Sequence, residues 1–297
     1  STVSGAIALP VFPDGPFEVY RIVEFEGPFR DPEHLIPSAT PDAIKATRTY
    51  NDARFFDQAE HKLIMAFHGI IVRTPTSVIL IDACLGNDKH RPFVPEWHMR
   101  SGPFINDIKG IGLSVDEITH VLCTHLHADH VGWNTRLLDG RWVPTFPNAK
   151  YLFGREEMAF WEPDADANHK SWQDSVQPVL DAGLAEIVDS HHEIEPGVSL
   201  LPAFGHSPGH VMVKLDTTSQ GKTQTAYVIG DVIHHPLQVE HPEWSSQFCW
   251  DANMAGAMRQ TVLETVADNG SWLIPAHFPT PTAVRVKSGK DGFWLED

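Results

Sequence analysis

Three histidines and one aspartate lie within six residues of the stretch CTHLHADHVGWN, residues 123–134. In an extended chain, side chains two residues apart project to the same side, so His125 and His127 are expected to face one point. Asp129 and His130 follow where the apolar run stops and the chain turns, so they can approach a neighbouring point from another direction. With 18 histidines in 297 residues, some clustering is expected by chance, and a histidine-rich surface loop is the alternative. Four such side chains together favour two adjacent metal ions over one.

Three further candidate ligands end other β-rich runs. His206 ends LLPAFGH, where Gly205 permits close backbone approach and the following Pro-Gly makes a turn. Asp231 follows a glycine in AYVIGD, and His277 ends WLIPAH. Taken singly, a histidine or aspartate at a strand end is more often a hydrogen-bonded loop residue. The order His, Asp, His after the HxHxDH stretch makes the whole set far more specific than its parts.

The composition narrows the range of partners. Lys and Arg number 22 against 39 Asp and Glu, a formal net charge of −17. A surface this negative repels phosphate backbones and anionic lipids, so we expect neither nucleic acid nor a membrane as partner. There is no run of 18 apolar residues, and the start STVSGAIALPVFPDG lacks the features of a signal peptide. We therefore expect a cytoplasmic protein. Whether a leader was removed before Ser1 is left open.

The order of predicted elements favours a single α/β domain over residues 1–297. Residues 69–86 predict two strands joined by a Thr-Pro-Thr turn, and residues 185–231 contain four short β-rich runs. A β-rich, helix, β-rich, helix order suits a sheet-on-sheet core covered by helices. The three cysteines are odd in number and widely spaced, which predicts neither a disulfide framework nor a zinc ribbon.

The strongest helical pattern lies in residues 251–270, with Asp251 as a candidate N-cap and Gly270 at the end. Its apolar residues repeat every four positions; they are Met254, Met258, Val262 and Val266. Such a stripe is more often core, but it could instead be a helix–helix contact in a homodimer.

The segments THLHADH, GHSPGH, GD and the late PAH resemble, in order and spacing, the metallo-β-lactamase-fold hydrolase superfamily over roughly residues 69–277. The resemblance implies an α/β fold built as a four-layer αβ/βα sandwich, with two zinc ions; iron or manganese can occupy such sites. It implies that one ion is held by His125, His127 and His206. It implies that the second is held by Asp129, His130 and His277, with Asp231 bridging the two. Asp82 matches an aspartate that stands behind the metals, where a carboxylate fixes a histidine tautomer; an ordinary turn residue is the alternative.

Two zinc ions would lower the pKa of bound water toward ~7, which provides hydroxide at neutral pH without a serine or cysteine nucleophile. Asp129 and Asp231 are thus the predicted catalytic carboxylates, Asp129 as a proton shuttle toward the leaving group. The chemistry expected is hydrolysis of a small, largely apolar molecule.

Trp133, after Gly132, stands where many relatives have a second glycine, and it predicts a narrow, apolar pocket. Other candidate pocket residues are His68, Trp97, His98, His234, His235, Phe248 and Trp250. For three of these, His68, His234 and His235, a position on the surface is favoured over a position in the pocket.

The run from residue 124 to residue 153 is similar to a subgroup that includes lactonases, the methyl parathion hydrolase type and the hydrolytic chlorothalonil dehalogenase. Chain length and Trp133 favour the last, in which hydroxyl replaces chloride on a chlorinated aromatic ring. A lactone, an aryl ester or an organophosphate would suit the same pocket. A non-hydrolytic iron redox protein, or a metal-binding module without turnover, is the alternative from a different class.

Overall fold

The structure, a computed structural model, describes residues 5–297 and divides the chain into two compact units. The first unit contains residues 5–25 and Phe67–Ser190, and the second contains Glu26–Ala66 and His191–Asp297. The predicted single domain over residues 1–297 is not tested by this division and stays a prediction. The segment predicted to lack the features of a signal peptide begins at residue 1, and its residues 1–4 lie outside the described part.

Strands carry most of the regular structure, as the sequence predicted. In chain order the strands in residues 5–297 are β1 Gly5–Ala8, β2 Glu18–Arg30, β3 Phe56–Asp57, β4 Lys62–Arg73, β5 Val78–Ile81, β6 His120–Leu122, β7 Thr135–Leu138, β8 Arg141–Pro144, β9 Lys150–Gly154, β10 Ala185–Val188, β11 His192–Glu195, β12 Val198–Pro202, β13 Val211–Ser219, β14 Lys222–Gly230, β15 Trp272–Pro275, β16 Val286–Gly289 and β17 Gly292–Leu295. The predicted Thr-Pro-Thr turn, residues 74–76, does lie between β4 and β5, which pair antiparallel.

The α-helices in the described residues are short except for the last. They are α1 Pro32–Leu35, α2 Pro41–Lys45, α3 Phe104–Gly110, α4 Arg155–Trp161, α5 Gln177–Asp181, α6 Leu237–Glu240 and α7 Ala252–Val266. Within residues 5–297, no helix is long and apolar enough to cross a membrane.

Parallel strands position the HxHxDH loop in the first unit. Strands β5, β6, β9 and β10 run parallel, within a sheet of order β1-β2-β4-β5-β6-β9-β10. Parallel strands bring their carboxyl ends to one edge of a sheet, where binding sites of open α/β sheets lie. Asp82 directly follows β5, and the loop that contains residues 123–130 directly follows β6. Every residue of β5 and β6 after the first of each strand is buried, which anchors both segments.

The second unit repeats this arrangement with three different segments. Its five-stranded sheet has the order β11-β12-β13-β14-β15. Strands β14 and β15 are parallel, and β12 runs in the same direction because β12, β13 and β14 alternate. Segments that follow β12, β14 and β15 therefore meet at one edge. His206, Asp231 and His277 lie on these three segments.

Helix α7 packs against this second sheet. The Asp251 side chain accepts a hydrogen bond from the Met254 amide, which confirms the predicted N-cap. Val262 and Val266 are in the buried cluster of the second unit, and Met258 packs against it. Met254, however, is 41% exposed. A spacing of four residues drifts by about 40° per step around an α-helix, so the stripe turns away from the core at its first residue.

Candidate metal centre

Two pairs of donor atoms face each other within the HxHxDH loop. His127 is extended, with φ −60° and ψ 152°, and it precedes a short 3₁₀ turn, Ala128–His130. His125 Nε2 lies 3.1 Å from His127 Nδ1, and His130 Nε2 lies 3.4 Å from Asp129 Oδ2. The loop thus turns at Ala128, as the predicted change of direction requires.

Asp82 stands behind this loop and contacts it at three points. Its Oδ2 atom lies 2.8 Å from His130 Nδ1 and accepts a hydrogen bond from the Thr124 hydroxyl at 2.9 Å. Its Oδ1 atom accepts from the Thr124 amide at 2.7 Å. The carboxylate therefore holds the proton of His130 on Nδ1, so that in the neutral ring Nε2 carries the lone pair.

In the second unit, the Asp231 carboxylate lies between two histidines. His206 Nε2 is 3.1 Å from Asp231 Oδ2, and His277 Nε2 is 3.1 Å from Asp231 Oδ1. His277 Nδ1 donates to the Ala66 carbonyl at 2.9 Å, so its Nε2 is unprotonated in the neutral ring. His206 Nδ1 lies 3.4 Å from Cys249 Sγ. Burial raises the pKa of the Cys249 thiol to about 11, so the thiol stays protonated at neutral pH.

Two groups of side chains have donor atoms close enough to hold a metal ion. Within each group the donor atoms all lie within 4.8 Å of one another. The first group is His125, His127, His206 and Asp231; the second is Asp129, His130, Asp231 and His277. Both combine imidazole nitrogen with carboxylate oxygen, a ligand chemistry that fits zinc and related divalent ions. Asp231 belongs to both groups, as is required of a carboxylate that bridges two ions. Metal binding by these groups stays a prediction.

The alternative of a surface position for three other histidines is wrong. His234 and His235 are buried, and so is His68, whose Nδ1 lies 3.1 Å from an Arg21 guanidinium nitrogen. His234 stacks on His277 with ring centroids 5.9 Å apart, and its Nε2 is 3.5 Å from Asp231 Oδ2. Burial lowers the pKa of His234, which favours a neutral ring beside the carboxylate. His235 Nε2 instead contacts the Phe55 carbonyl at 2.9 Å, away from the donor atoms.

The structure places the predicted aromatic pocket residues in several environments. Trp133 is buried and stacks on Phe104, with centroids 5.3 Å apart and an angle of 11°. Trp97 contacts the His169 ring edge-on at 5.7 Å. His98 uses Nδ1 to accept a hydrogen bond from the Arg91 amide at 3.0 Å. These residues as pocket walls remain predictions.

Phe248 and Trp250 lie in the segment that leads into α7. Both side chains are about half exposed, at 46% and 52%. The Trp250 amide donates to the His206 carbonyl at 2.9 Å, so this segment is tied to a candidate ligand through the backbone.

Sequence reasoning assigned no role to two buried side chains that support the candidate ligands. His210 Nε2 accepts the Asp231 amide proton at 3.0 Å. Glu157 accepts the Leu126 amide proton at 2.9 Å although it lies on α4, a helix with several exposed residues. His210 ends the GHSPGH segment and could have been suspected from that position; Glu157 offered no comparable signal.

Comparison with known proteins identifies the family. The sequence model of the metallo-beta-lactamase superfamily matches residues 69–219, just over half of the 297 residues. The chain belongs to this superfamily, and the predicted α/β metallo-β-lactamase fold is confirmed.

The relatives found by sequence match only part of the chain. An N-acyl homoserine lactonase of Bacillus thuringiensis is 28% identical over 118 residues, 39% of this chain and 40% of that protein. An N-acyl homoserine lactonase of Bacillus cereus is 27% identical over 114 residues, which are 38% of this chain and 39% of that protein. The aligned part thus spans about two fifths of the curated relatives.

Two solved structures share the fold over almost their full length. Hydrolase AbOPH of the beta lactamase superfamily has a TM-score of 0.79 at 22% identity, covering 99% of this chain and 98% of that chain. AidC, a dizinc quorum-quenching lactonase in complex with a homoserine product, has a TM-score of 0.77 at 22% identity. The match covers 100% of this chain and 98% of that chain. At this identity the likeness establishes the fold alone.

Proposed function

We propose that the protein is a metal-dependent hydrolase that holds two divalent ions at the two donor groups. The observation that carries this proposal is the pair of groups sharing Asp231, each with its donor atoms within 4.8 Å. His130 and His277 support it further, because their Nδ1 atoms contact a carboxylate and a carbonyl, while their Nε2 atoms face the carboxylates of the second donor group. The mixed imidazole and carboxylate set favours zinc, with iron and manganese as the alternatives to be tested.

When bound, two such ions supply an activated water molecule at neutral pH and polarise the electrophile. The chain contributes the groups that move protons and orient the substrate. The Asp129 side chain retains 11% exposure and that of Asp231 retains 4%. We assign to Asp129 the transfer of a proton to the leaving group, because it is the more accessible of the two carboxylates. His234, neutral and beside Asp231, is positioned to donate a hydrogen bond to a substrate oxygen.

For the substrate we propose a lactone with an apolar acyl tail, such as an N-acyl homoserine lactone. The sequence relatives are N-acyl homoserine lactonases, which favours this class over the others. The first unit also offers aromatic side chains near His127. The Trp161 ring lies 5.5 Å from that of His127, and Phe160 beside it is 41% exposed. Such rings suit an apolar tail, and they would equally accept a flat chlorinated aromatic.

Hydrolytic dehalogenation of chlorothalonil, the specific prediction from the sequence, therefore stays a prediction alongside aryl-ester and organophosphate hydrolysis. These reactions release different products, so a single panel separates them. All four reactions release a proton. Lactone opening gives a hydroxy acid as its one organic product, dehalogenation alone gives chloride, and the other two split off an alcohol or phenol from an acid.

The test uses protein stripped with a chelator and reloaded with zinc. We expect proton release from N-hexanoyl homoserine lactone, reduced at least about 10³-fold by Asp231→Asn. Asp216→Asn, which alters a carboxylate on β13 of the same unit, is the matched control and should keep full activity. Chloride release from chlorothalonil without lactone opening would replace the substrate proposal by the dehalogenase. A protein with two bound ions that turns over no member of the panel would contradict hydrolysis and favour a redox or binding role.

A further inference from the structure

A left-handed turn in the first unit contacts the HxHxDH loop. Three successive residues without a glycine, Asn168, His169 and Lys170, have φ values of 54°, 59° and 60°. This conformation is uncommon for L-residues, and asparagine tolerates it best. Strained backbone of this kind persists only where surrounding contacts determine it, and it clusters at functional sites.

The Asn168 carboxamide bonds to the backbone on both sides of His127. Its Oδ1 atom accepts a hydrogen bond from the Ala128 amide at 3.0 Å. Its Nδ2 group donates to the Leu126 carbonyl at 2.6 Å and to the Ser171 hydroxyl at 2.8 Å. One side chain thus fixes the peptide groups immediately before and immediately after His127.

Glu157 also bonds to the backbone of this loop, at the amide of Leu126. Its Oε2 atom accepts from the Leu126 amide at 2.9 Å and from Trp161 Nε1 at 2.9 Å. The Trp161 ring then meets the His127 ring at an angle of 73°. The backbone at Leu126 and Ala128 is therefore held by two side chains that are distant in sequence.

His127 differs from the other candidate ligands in how its ring can be held. His130 and His277 are oriented through Nδ1 by a carboxylate or a carbonyl, while Nε2 faces the donor group. His127 presents Nδ1 itself, 3.1 Å from His125 Nε2. A hydrogen bond donated to Nδ1 would compete with metal binding. The bonds to the flanking peptide groups and the packing of Trp161 on the ring therefore contribute to the orientation of His127.

We propose that Asn168 is a positioning residue that sets the direction of His127 toward the first metal ion. The proposal rests on the proposed function only in taking His127 as a metal ligand. Supporting groups of this kind typically change metal affinity 10- to 100-fold when removed.

Three variants isolate the effect of the carboxamide. Asn168→Gly retains the left-handed backbone and removes both bonds to the loop. Asn168→Asp keeps the acceptor for the Ala128 amide, but it replaces the donor to the Leu126 carbonyl by a repelling oxygen. Lys170→Gly, at φ 60° in the same turn, loosens the turn equally and leaves the carboxamide in place.

The measurements are zinc affinity by competition with a chromogenic chelator, the visible spectrum of the cobalt-substituted protein, and the melting temperature of the metal-free protein. We expect Asn168→Gly to weaken the first site 10- to 100-fold and to shift the cobalt spectrum. Asn168→Asp should fall between it and the wild type, and Lys170→Gly should stay within about 2-fold. Equal affinities in Asn168→Gly and Lys170→Gly would overturn the proposal. The binding assay needs no turnover, so it remains decisive if the hydrolase proposal fails.

Discussion

The candidate metal ligands are more visible in the sequence than the residues that orient them. His125, His127 and His130 are close in sequence, and their spacing alone predicts convergence of their side chains. Whether His68, His234 or His235 is buried depends on segments far away in the chain, which is why a surface position was wrongly favoured. Asn168 acts over 40 residues of separation and has no local pattern.

Asp82 provides a test at this scale. Because its carboxylate fixes the His130 proton on Nδ1, Asp82→Asn should weaken metal binding 10- to 100-fold. Asparagine tolerates the left-handed backbone at this position, φ 63°, so the fold should be retained. The control is Asp88→Asn, an exposed residue at φ 62°. Metal affinity measured by chelator competition should fall in the first variant only, and an equal change in both would contradict the assignment.

At the scale of elements, the sequence predicted strands with uniform apolar runs better than strands with buried charge. β5 and β6 are apolar and were recognised. β2 extends over 13 residues, but it contains buried Arg21 and Glu26, which interrupt the apolar pattern. Arg21 is accommodated by the ring of His68, a partner 47 residues away. The β7–β8 hairpin was also missed, although its Asp139-Gly140 turn is a recognised hairpin signal.

The loop after β5 packs directly on the loop after His130, and Gly132 permits the contact. A Cβ atom at Gly132 would lie 1.9 Å from the Leu85 carbonyl oxygen. Gly132→Ala should therefore lower the free energy of unfolding by about 1–3 kcal/mol, the usual cost of overpacking. Gly110→Ala, where a Cβ meets nothing within 4 Å, should change it by less than about 0.5 kcal/mol. Urea denaturation of both variants measures the difference, and equal stability would show that the two loops separate at little cost.

At the scale of the whole molecule, a buried lysine makes stability depend on pH. Lys89 is fully buried, with Nζ 3.8 Å from the Trp142 ring centroid and 3.9 Å from Asp174 Oδ1. Asp174 is already paired with Arg91 at 2.7 Å, so it compensates the lysine incompletely. Burial consequently lowers the pKa of Lys89 from 10.5 to about 7.

The unfolded chain then binds a proton at Lys89 that the folded protein has lost, between about pH 7 and 10.5. The free energy of unfolding should rise with pH across this window, by at most about 1.4 kcal/mol per pH unit from this group. Lys89→Met should remove that slope, whereas the exposed Lys150→Met should keep it. Urea denaturation at pH 7.5, 8.5 and 9.5 measures it, and an unchanged slope in Lys89→Met would refute the assignment.

The most direct test of the central claim is the lactone-opening rate of metal-free protein as zinc is added in measured equivalents. Two donor groups that share Asp231 predict little activity before the first equivalent and a maximum at two per chain. Full activity at one equivalent, or two bound equivalents without turnover of the substrate panel, would contradict a two-metal hydrolase.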